Sequence, residues 1–322
     1  MSAPVRGESD AHSFGRADML LLLMCLIWGI NYTVIKQSLV DFLPLSFNAL
    51  RFVIASGLTL ALTYSSGRNI RVDKRDLPRM WLLGLLANTI YQSLFIFGMA
   101  HTRAGNAALI LATTPLFTAL IGWLRRQEHF TGLGVAGLLL AFAGMTAIII
   151  SGPKGVSIGE DHLGDFLMIA STICWALYTS LTRTYVHKYG ALKTTTIMML
   201  TGTPILLLVS FPSLSSQNWR AAGATAWAGL FFSGVLAIGF AYIIWNHGVQ
   251  KIGSTRTALY SNITPIIALL VAWIGIGETP RWGQVAGAII IFAAIYLVRR
   301  GVSHVATTPT EEERVILRPG KN

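Results

Sequence analysis

The second half of this chain repeats the first half at an offset of 150 residues. The matched positions include Ala108-Leu109 with Ala258-Leu259, Thr114-Pro115 with Thr264-Pro265, Trp123 with Trp273, and Glu128 with Glu278. Self-similarity over this length predicts two copies of one structural unit in a single chain. The fold must therefore bring two related halves together.

Each copy is apolar enough to lie in a membrane. Of the 322 residues, 53% are hydrophobic and 12% are charged, and the mean hydropathy is +0.58; an average soluble domain is about 25% charged. Apolar runs of about 20 residues recur along the chain, and each is long enough to cross the hydrocarbon core as a helix. The alternation typical of membrane β-barrel strands is missing. The sequence therefore predicts an all-α polytopic membrane protein.

Ten of these runs are predicted to be transmembrane helices, five in each half. Spans 1 to 5 cover residues 19–39, 46–65, 80–100, 106–124 and 131–151, and spans 6 to 10 cover residues 166–183, 194–211, 226–248, 257–277 and 282–298. Because each copy has an odd number of spans, the two copies take opposite orientations in the membrane. The predicted architecture is two inverted five-helix repeats, from which many transporters build a central site.

Most of the 25 Lys and Arg residues fall on one side of this topology. The positive-inside rule places that side, with both termini, in the cytoplasm of an inner-membrane protein. The predicted organisation is a cytoplasmic tail (1–18), the first repeat (19–151), a periplasmic linker (152–165), the second repeat (166–300) and a disordered cytoplasmic tail (301–322).

The net charge of +11 is then mainly a topology signal. A nucleic-acid partner is not expected, because no soluble basic surface with interleaved aromatic residues is present. The two cysteines, Cys25 and Cys174, lie inside spans 1 and 6 and show no metal-binding spacing. No catalytic motif, metal site or cofactor site is predicted, so an intramembrane enzyme is a weak alternative. A channel is also disfavoured, because no ring of charge or carbonyl filter is evident.

Residues in the first repeat carry a family resemblance. Span 1 contains Trp28, Tyr32 and Lys36, and Pro44 and Leu50-Arg51-Phe52 follow at the start of span 2. This order, together with the Thr-Pro and Glu positions found in both halves, resembles the drug/metabolite transporter superfamily and specifically its ten-span members with two EamA-type repeats. Trp175 and Arg183 correspond to Trp28 and Lys36 at an offset of 147, whereas span 7 has no Arg that corresponds to Arg51. The resemblance implies export or exchange of amino acids, metabolites or drugs.

Polar and aromatic residues at helical spacing predict the inner faces of several spans. Spans 1 and 6 share one i, i+3, i+4, i+7 stripe, which consists of Trp28, Asn31, Tyr32 and Ile35 in span 1 and of Trp175, Tyr178, Thr179 and Thr182 in span 6. The candidate solute-binding residues are Trp28, Asn31, Tyr32, Tyr91, Gln92, Trp175, Tyr178, Trp245, Asn246 and Tyr260. The alternative for each is interhelical packing or hydrogen bonding. Spans 5 and 10 are glycine-rich where they begin and are predicted to be peripheral, which is compatible with a monomer or a weak homodimer.

Pro115 and Pro265 interrupt equivalent spans and are candidate hinge or gating residues, with a static kink as the alternative. Lys36 and Arg51 are the charged residues nearest the membrane interior. For each of these two residues there are two alternatives. The side chain attracts a carboxylate-bearing solute, or it extends to the lipid headgroups.

No Asp or Glu is placed deep in a span, so the buried acid typical of proton-driven carriers is not predicted. The sequence thus favours a uniporter or exchanger, most plausibly an exporter of aromatic or apolar amino acids or similar amphipathic metabolites, that works by alternating access. A proton-coupled multidrug or metabolite efflux carrier is the alternative function.

Overall fold

The structure is a computed structural model that describes residues 15–124, 128–150 and 162–304. These residues are almost entirely helical. The predicted tails and the predicted periplasmic linker fall largely outside the described residues.

Within the described residues, the first half contains seven α-helices. Their bounds are α1 (Arg16–Ser38), α2 (Pro44–Ser65), α3 (Leu77–Gly84), α4 (Tyr91–His101), α5 (Ala104–Leu111), α6 (Thr114–Leu124) and α7 (Gly132–Ile150). A π-helical segment, Leu85–Ile90, joins α3 to α4 without a loop. A three-residue strand, β1 (Glu128–Phe130), precedes α7.

The second half follows the same order. Its helices are α8 (Leu163–Tyr189), α9 (Ala191–Ser216), α10 (Ala224–Phe232), α11 (Ala241–Ile252), α12 (Ser254–Tyr260), α13 (Thr264–Ile276) and α14 (Trp282–Gly301). A π-helical segment, Ser233–Phe240, joins α10 to α11, and a 3-10 turn, Ser261–Ile263, precedes α13. Because Leu85–Ile90 shifted by 150 residues falls inside Ser233–Phe240, the two π-helical segments occupy matching places in the two halves.

The chain is a multi-pass membrane protein. By length and composition, seven helices within the described residues qualify as membrane spans, and three further apolar helices there are shorter. Within the described residues, each of the ten predicted spans lies largely on helical residues. Large apolar side chains also lie on the outer surface, where Leu208 is 75% exposed and Ile274 is 82% exposed. Exposure of this kind suits a lipid-facing surface far better than an aqueous one.

The helices enclose a large central core and a smaller lateral one. The central core contains buried residues of all the α-helices described except α6, α7 and α14. The lateral core lies where α7 and α14 pack along each other beside α6, and it includes Leu116, Ala141 and Ile291. β1 pairs in antiparallel fashion with β2 (Val302–His304), next to the ends of this helix pair. α7 and α14 thus form a lateral unit beside the central bundle.

Two glycines allow one close helix contact in the central core. A methyl group on Gly202 of α9 would overlap the backbone carbonyl of Gly84 at the end of α3. Asn88, one turn further on in the π-helical segment, donates a 2.7 Å hydrogen bond from its Nδ2 to the Met198 carbonyl oxygen of α9. Small residues let helix backbones approach in this way in membranes, and a polar side chain then fixes the register.

Pro115 and Pro265 each stand in the first turn of a new helix instead of in the middle of one. α5 ends at Leu111 and α6 begins at Thr114, while α13 begins at Thr264 after the 3-10 turn. A proline in the first helical turn leaves no hydrogen bond unmade, because that N–H has no helical partner in any case. Regular α-helix is therefore interrupted just before each of the two prolines.

Candidate functional site

Aromatic side chains from four helices, α1, α4, α8 and α11, meet in the centre of the bundle. The ring centroid of Trp28 lies 5.9 Å from that of Trp175 and 5.4 Å from that of Trp245. The Trp175 ring in turn lies 4.9 Å from the Tyr91 ring and 5.2 Å from the Tyr242 ring. The Trp28 indole N–H donates a 2.8 Å hydrogen bond to the Ala237 carbonyl in the second π-helical segment, which fixes the orientation of the indole.

A cavity of about 40 Å³ opens beside these rings. Its wall is formed by Trp28, Asn31, Tyr32, Arg51, Tyr91, Gln92, Phe95, Leu111, Trp175, Ala237, Ile238 and Tyr242. The volume holds a few water molecules, at about 10–15 Å³ each. An aromatic amino acid is much larger, so the surrounding helices have to separate before such a solute enters.

Arg51 of α2 brings a positive charge into this wall although it is only 1% exposed. Its Nε and Nη2 donate to Asn48 Oδ1 at 2.9 and 2.7 Å, its Nη2 also donates to Gln92 Oε1 at 2.6 Å, and its Nη1 donates to Ser233 Oγ at 3.1 Å. The guanidinium carbon lies 5.4 Å from the Phe47 ring centroid and 5.7 Å from that of Phe95. Arg51 therefore does not extend to the headgroups, whereas Lys36 is half-buried.

Gln92 links Arg51 to the opposite repeat. Its Oε1 accepts from Arg51, and its Nε2 donates a 2.5 Å hydrogen bond to the Tyr242 hydroxyl. Both ends of the amide are thus occupied, which leaves one orientation for the side chain. The result is a continuous chain of hydrogen bonds from α2 through α4 to α11.

Asn31 of α1 contributes a polar atom of a different kind. Its side chain is 6% exposed and lines the cavity. Among the described residues, nothing donates a hydrogen bond to its Oδ1. Buried acceptors are normally paired, so an acceptor without a donor is an exception in a folded protein.

The two halves of the sequence each match the EamA-like transporter family, over residues 15–150 and 162–300. The chain belongs to this family. The match confirms the resemblance carried by Trp28, Tyr32, Lys36 and Arg51.

Two relatives of this EamA-like transporter span almost its whole length. The uncharacterized transporter YyaM of Bacillus subtilis (strain 168) is 27% identical over 303 residues, which cover 92% of this chain and 98% of the relative. A protein described as a probable terminal-alkyne amino-acid exporter, from Streptantibioticus cattleyicolor, is 25% identical over 299 residues, covering 91% and 98%.

A solved crystal structure has the same fold. It superposes on this EamA-like transporter with a TM-score of 0.68, covering 89% of this chain and 99% of the other, at 16% sequence identity. An identity this low supports the fold alone.

Six of the ten candidate binding residues line the cavity of this EamA-like transporter, and they come from α1, α4 and α8. They are Trp28, Asn31, Tyr32, Tyr91, Gln92 and Trp175. Three others lie behind the wall, where Trp245 packs against both central indoles. Tyr178 and Asn246 are hydrogen-bonded to each other, and Asn246 Nδ2 also donates to Thr195 Oγ1 at 2.8 Å. This second layer joins α8, α9 and α11 and supports the rings in front of it.

Tyr260, the tenth candidate, lies at the end of α12 and away from the cavity. Its hydroxyl donates a hydrogen bond to the carboxylate of Asp18, which is 3% exposed in the first turn of α1. Asp165, which is 147 residues further on and 5% exposed, occupies the same place at the start of α8 and accepts a hydrogen bond from Thr102 Oγ1. Each half therefore begins with a buried carboxylate that contacts the other half.

Six residues of the wall were not among the ten candidate binding residues. They are Arg51, Phe95, Leu111, Ala237, Ile238 and Tyr242, although the helical spacing of polar and aromatic residues includes Phe95 in span 3 and Tyr242 in span 8. Tyr242 had a usable signal, since it is the counterpart of the candidate Gln92 at the 150-residue offset. The two residues of the second π-helical segment, Ala237 and Ile238, are apolar and carry no such signal.

Proposed function

We propose that this protein is a ten-span secondary transporter of two inverted repeats that exports aromatic or apolar amino acids and similar amphipathic solutes. The aromatic cavity between Trp28, Trp175 and Tyr91 is the observation that carries the proposal. Rings around a cavity bind flat apolar groups through offset and edge contacts. The relative described as a probable amino-acid exporter supports the same class of solute.

Contacts between equivalent residues support the inverted repeat. Gln92 bonds to Tyr242 at the 150-residue offset, and Trp28 packs on Trp175 at the 147-residue offset. A residue contacts its own counterpart only when the two copies present the same face to each other, as across a two-fold axis. With five spans in each copy, that axis lies in the membrane plane and both termini lie in the cytoplasm.

Alternating access follows from these features as the proposed mechanism. The small cavity corresponds to a state closed to solutes, and rocking of one repeat against the other about the central axis opens it to either side. The interruptions before Pro115 and Pro265 are suited to absorb this bending. Among the described residues that line the cavity, none is Asp or Glu, which favours uniport or exchange.

The purified protein in liposomes tests this proposal. Radiolabelled phenylalanine or tryptophan should show saturable flux and be accelerated by unlabelled solute on the other side of the membrane. Trp28→Ala and Trp175→Ala should each reduce this flux about tenfold through lost ring contacts. The matched control is Trp282→Ala, because Trp282 is 89% exposed at the start of α14 and should not affect flux. Unchanged flux in both cavity variants, or no saturable flux of any amino acid, contradicts the proposal.

Two buried carboxylates keep a proton-coupled carrier as the second candidate function. Asp18 and Asp165 are both nearly inaccessible and hydrogen-bonded at helix starts, and a buried carboxyl group is a site where protonation can alternate. An imposed pH gradient distinguishes the candidates. In a proton-coupled carrier, the pH gradient drives accumulation of the solute. In an exchanger, the pH gradient leaves the equilibrium distribution of the solute unchanged.

A further inference from the structure

Arg51 is a buried cation without a counter-ion among the described residues. Its hydrogen-bond partners there are the neutral oxygens of Asn48, Gln92 and Ser233, with two phenyl rings beside it. Arginine keeps its proton inside proteins. A charged side chain within the membrane is costly and is normally paired, so an unpaired one on the wall of a cavity marks a functional site.

The neutral partners orient the guanidinium without neutralising it. The recorded hydrogen bonds use four of its five N–H groups and leave one of the two on Nη1 for a ligand. Arginine binds carboxylates through charge-assisted hydrogen bonds, which are roughly twice as strong as neutral ones. A carboxylate in the cavity would therefore complete the hydrogen bonding of Arg51 and balance its charge.

Asn31 supplies the complementary atom in the same cavity. Its Oδ1 has no donor among the described residues, and an ammonium group has three N–H donors. The aromatic walls next to it also attract cations through their ring faces. The cavity thus combines an anion-binding group, a hydrogen-bond acceptor and an apolar aromatic surface.

We propose that Arg51 binds the carboxylate of the transported solute, that Asn31 Oδ1 accepts from its ammonium group, and that the rings of Trp28 and Trp175 hold its side chain. The site then selects zwitterionic α-amino acids over amines and amides that share the same side chain. This assignment rests on the proposed transport function and deepens it.

Matched solutes test the assignment on the unaltered protein. Unlabelled phenylalanine, phenylalanine amide and phenethylamine compete against radiolabelled phenylalanine in liposomes. The two compounds that lack a carboxylate should compete at least about tenfold more weakly, since each loses a charge-assisted hydrogen bond. Equal competition by all three overturns the role of Arg51 while leaving the transport proposal intact. Absence of saturable flux for phenylalanine and every other amino acid overturns both.

Variants then locate the selectivity. Arg51→Gln should abolish the preference for phenylalanine over its amide, and Arg51→Lys should retain part of it, because the charge remains but the paired N–H geometry is lost. Lys36→Gln is the matched control, since it removes a half-buried cation that does not line the cavity, and it should keep the full preference. A full preference in Arg51→Gln overturns the assignment. If Arg51→Gln fails to fold, the three solutes are compared on Arg51→Lys and on the unaltered protein. An equal preference for phenylalanine over its amide in these two proteins then overturns the assignment.

Discussion

Gln92 donates a hydrogen bond of 2.5 Å to the hydroxyl of Tyr242, the residue that occupies its own position 150 residues later in the chain. The bond therefore joins the two halves where each meets its counterpart. The same amide accepts from Arg51, so the charge on α2 is held by a contact that depends on both halves. Movement of one half relative to the other would alter the environment of that charge.

Removing the Tyr242 hydroxyl should weaken binding of carboxylate-bearing solutes. Tyr242→Phe keeps the ring next to Trp28 but frees Gln92 Nε2, so the amide no longer fixes the guanidinium. We expect the apparent Kd for phenylalanine to rise about three- to tenfold, with a smaller change for its amide, measured by competition. Tyr64→Phe removes a tyrosine hydroxyl at a 60% exposed position of α2 and should leave the affinity unchanged. Equal affinities in Tyr242→Phe and the unaltered protein contradict this role.

Thr102 should stabilise the protein through Asp165. Thr102→Val removes the hydroxyl that donates to this buried carboxylate, and we expect the free energy of unfolding to fall by about 1.5–3 kcal/mol, as for hydrogen bonds to charged groups. Thr102→Ser retains the donor and is the matched control. Thermal unfolding in detergent measures both, and equal melting temperatures for the two variants exclude the contact as a source of stability.

A methyl group on Gly202 should destabilise the central core. In Gly202→Ala the new carbon overlaps the Gly84 carbonyl, so α9 has to move away from α3 at an expected loss of about 1–3 kcal/mol. Gly57→Ala is the control, because an added methyl group on this exposed helical glycine meets nothing within 4 Å. We expect no loss there, since alanine favours helix more than glycine does. A melting temperature for Gly202→Ala equal to that of Gly57→Ala disagrees with the close contact.

Pro265 should influence the rate of transport more than the affinity. Pro265→Ala supplies an N–H and allows the 3-10 turn Ser261–Ile263 to join α13 in one stiffer helix. We expect the maximal flux to fall several-fold at an unchanged KM, measured by initial rates in liposomes. Pro212→Ala, near the end of α9, is the control. An unchanged rate in Pro265→Ala shows that the interruption is static.

Sequence patterns anticipated the helices and the aromatic centre because both depend on local order. Apolar runs placed helical residues at every predicted span, and spacing within one turn placed Trp28 and Asn31 on one face. How deeply a side chain is buried depends on tertiary packing, so the sequence pattern did not predict the burial of every residue. Arg51 lies only a few residues inside its predicted span, yet α2, α4 and the second π-helical segment cover it completely.

The same limit explains Tyr178 and Asn246. Their spacing placed them on inner faces, but whether an inner face borders a cavity or another helix depends on side chains from elsewhere in the chain, here Thr195. The π-helical segments were not predicted either. They differ from an α-helix by a shift in hydrogen-bond register, which the apolar sequence of Ser233–Phe240 does not encode in any evident way.

The matching π-helical segments, Leu85–Ile90 and Ser233–Phe240, have a consequence for the cavity wall. The first segment runs directly into Tyr91 and Gln92 of the wall, and the second supplies Ala237 and Ile238. A π turn has a wider hydrogen-bond register than an α-helix and is frequent at functional sites. A change of register in either segment would therefore rotate residues of the wall without any substitution in the wall itself.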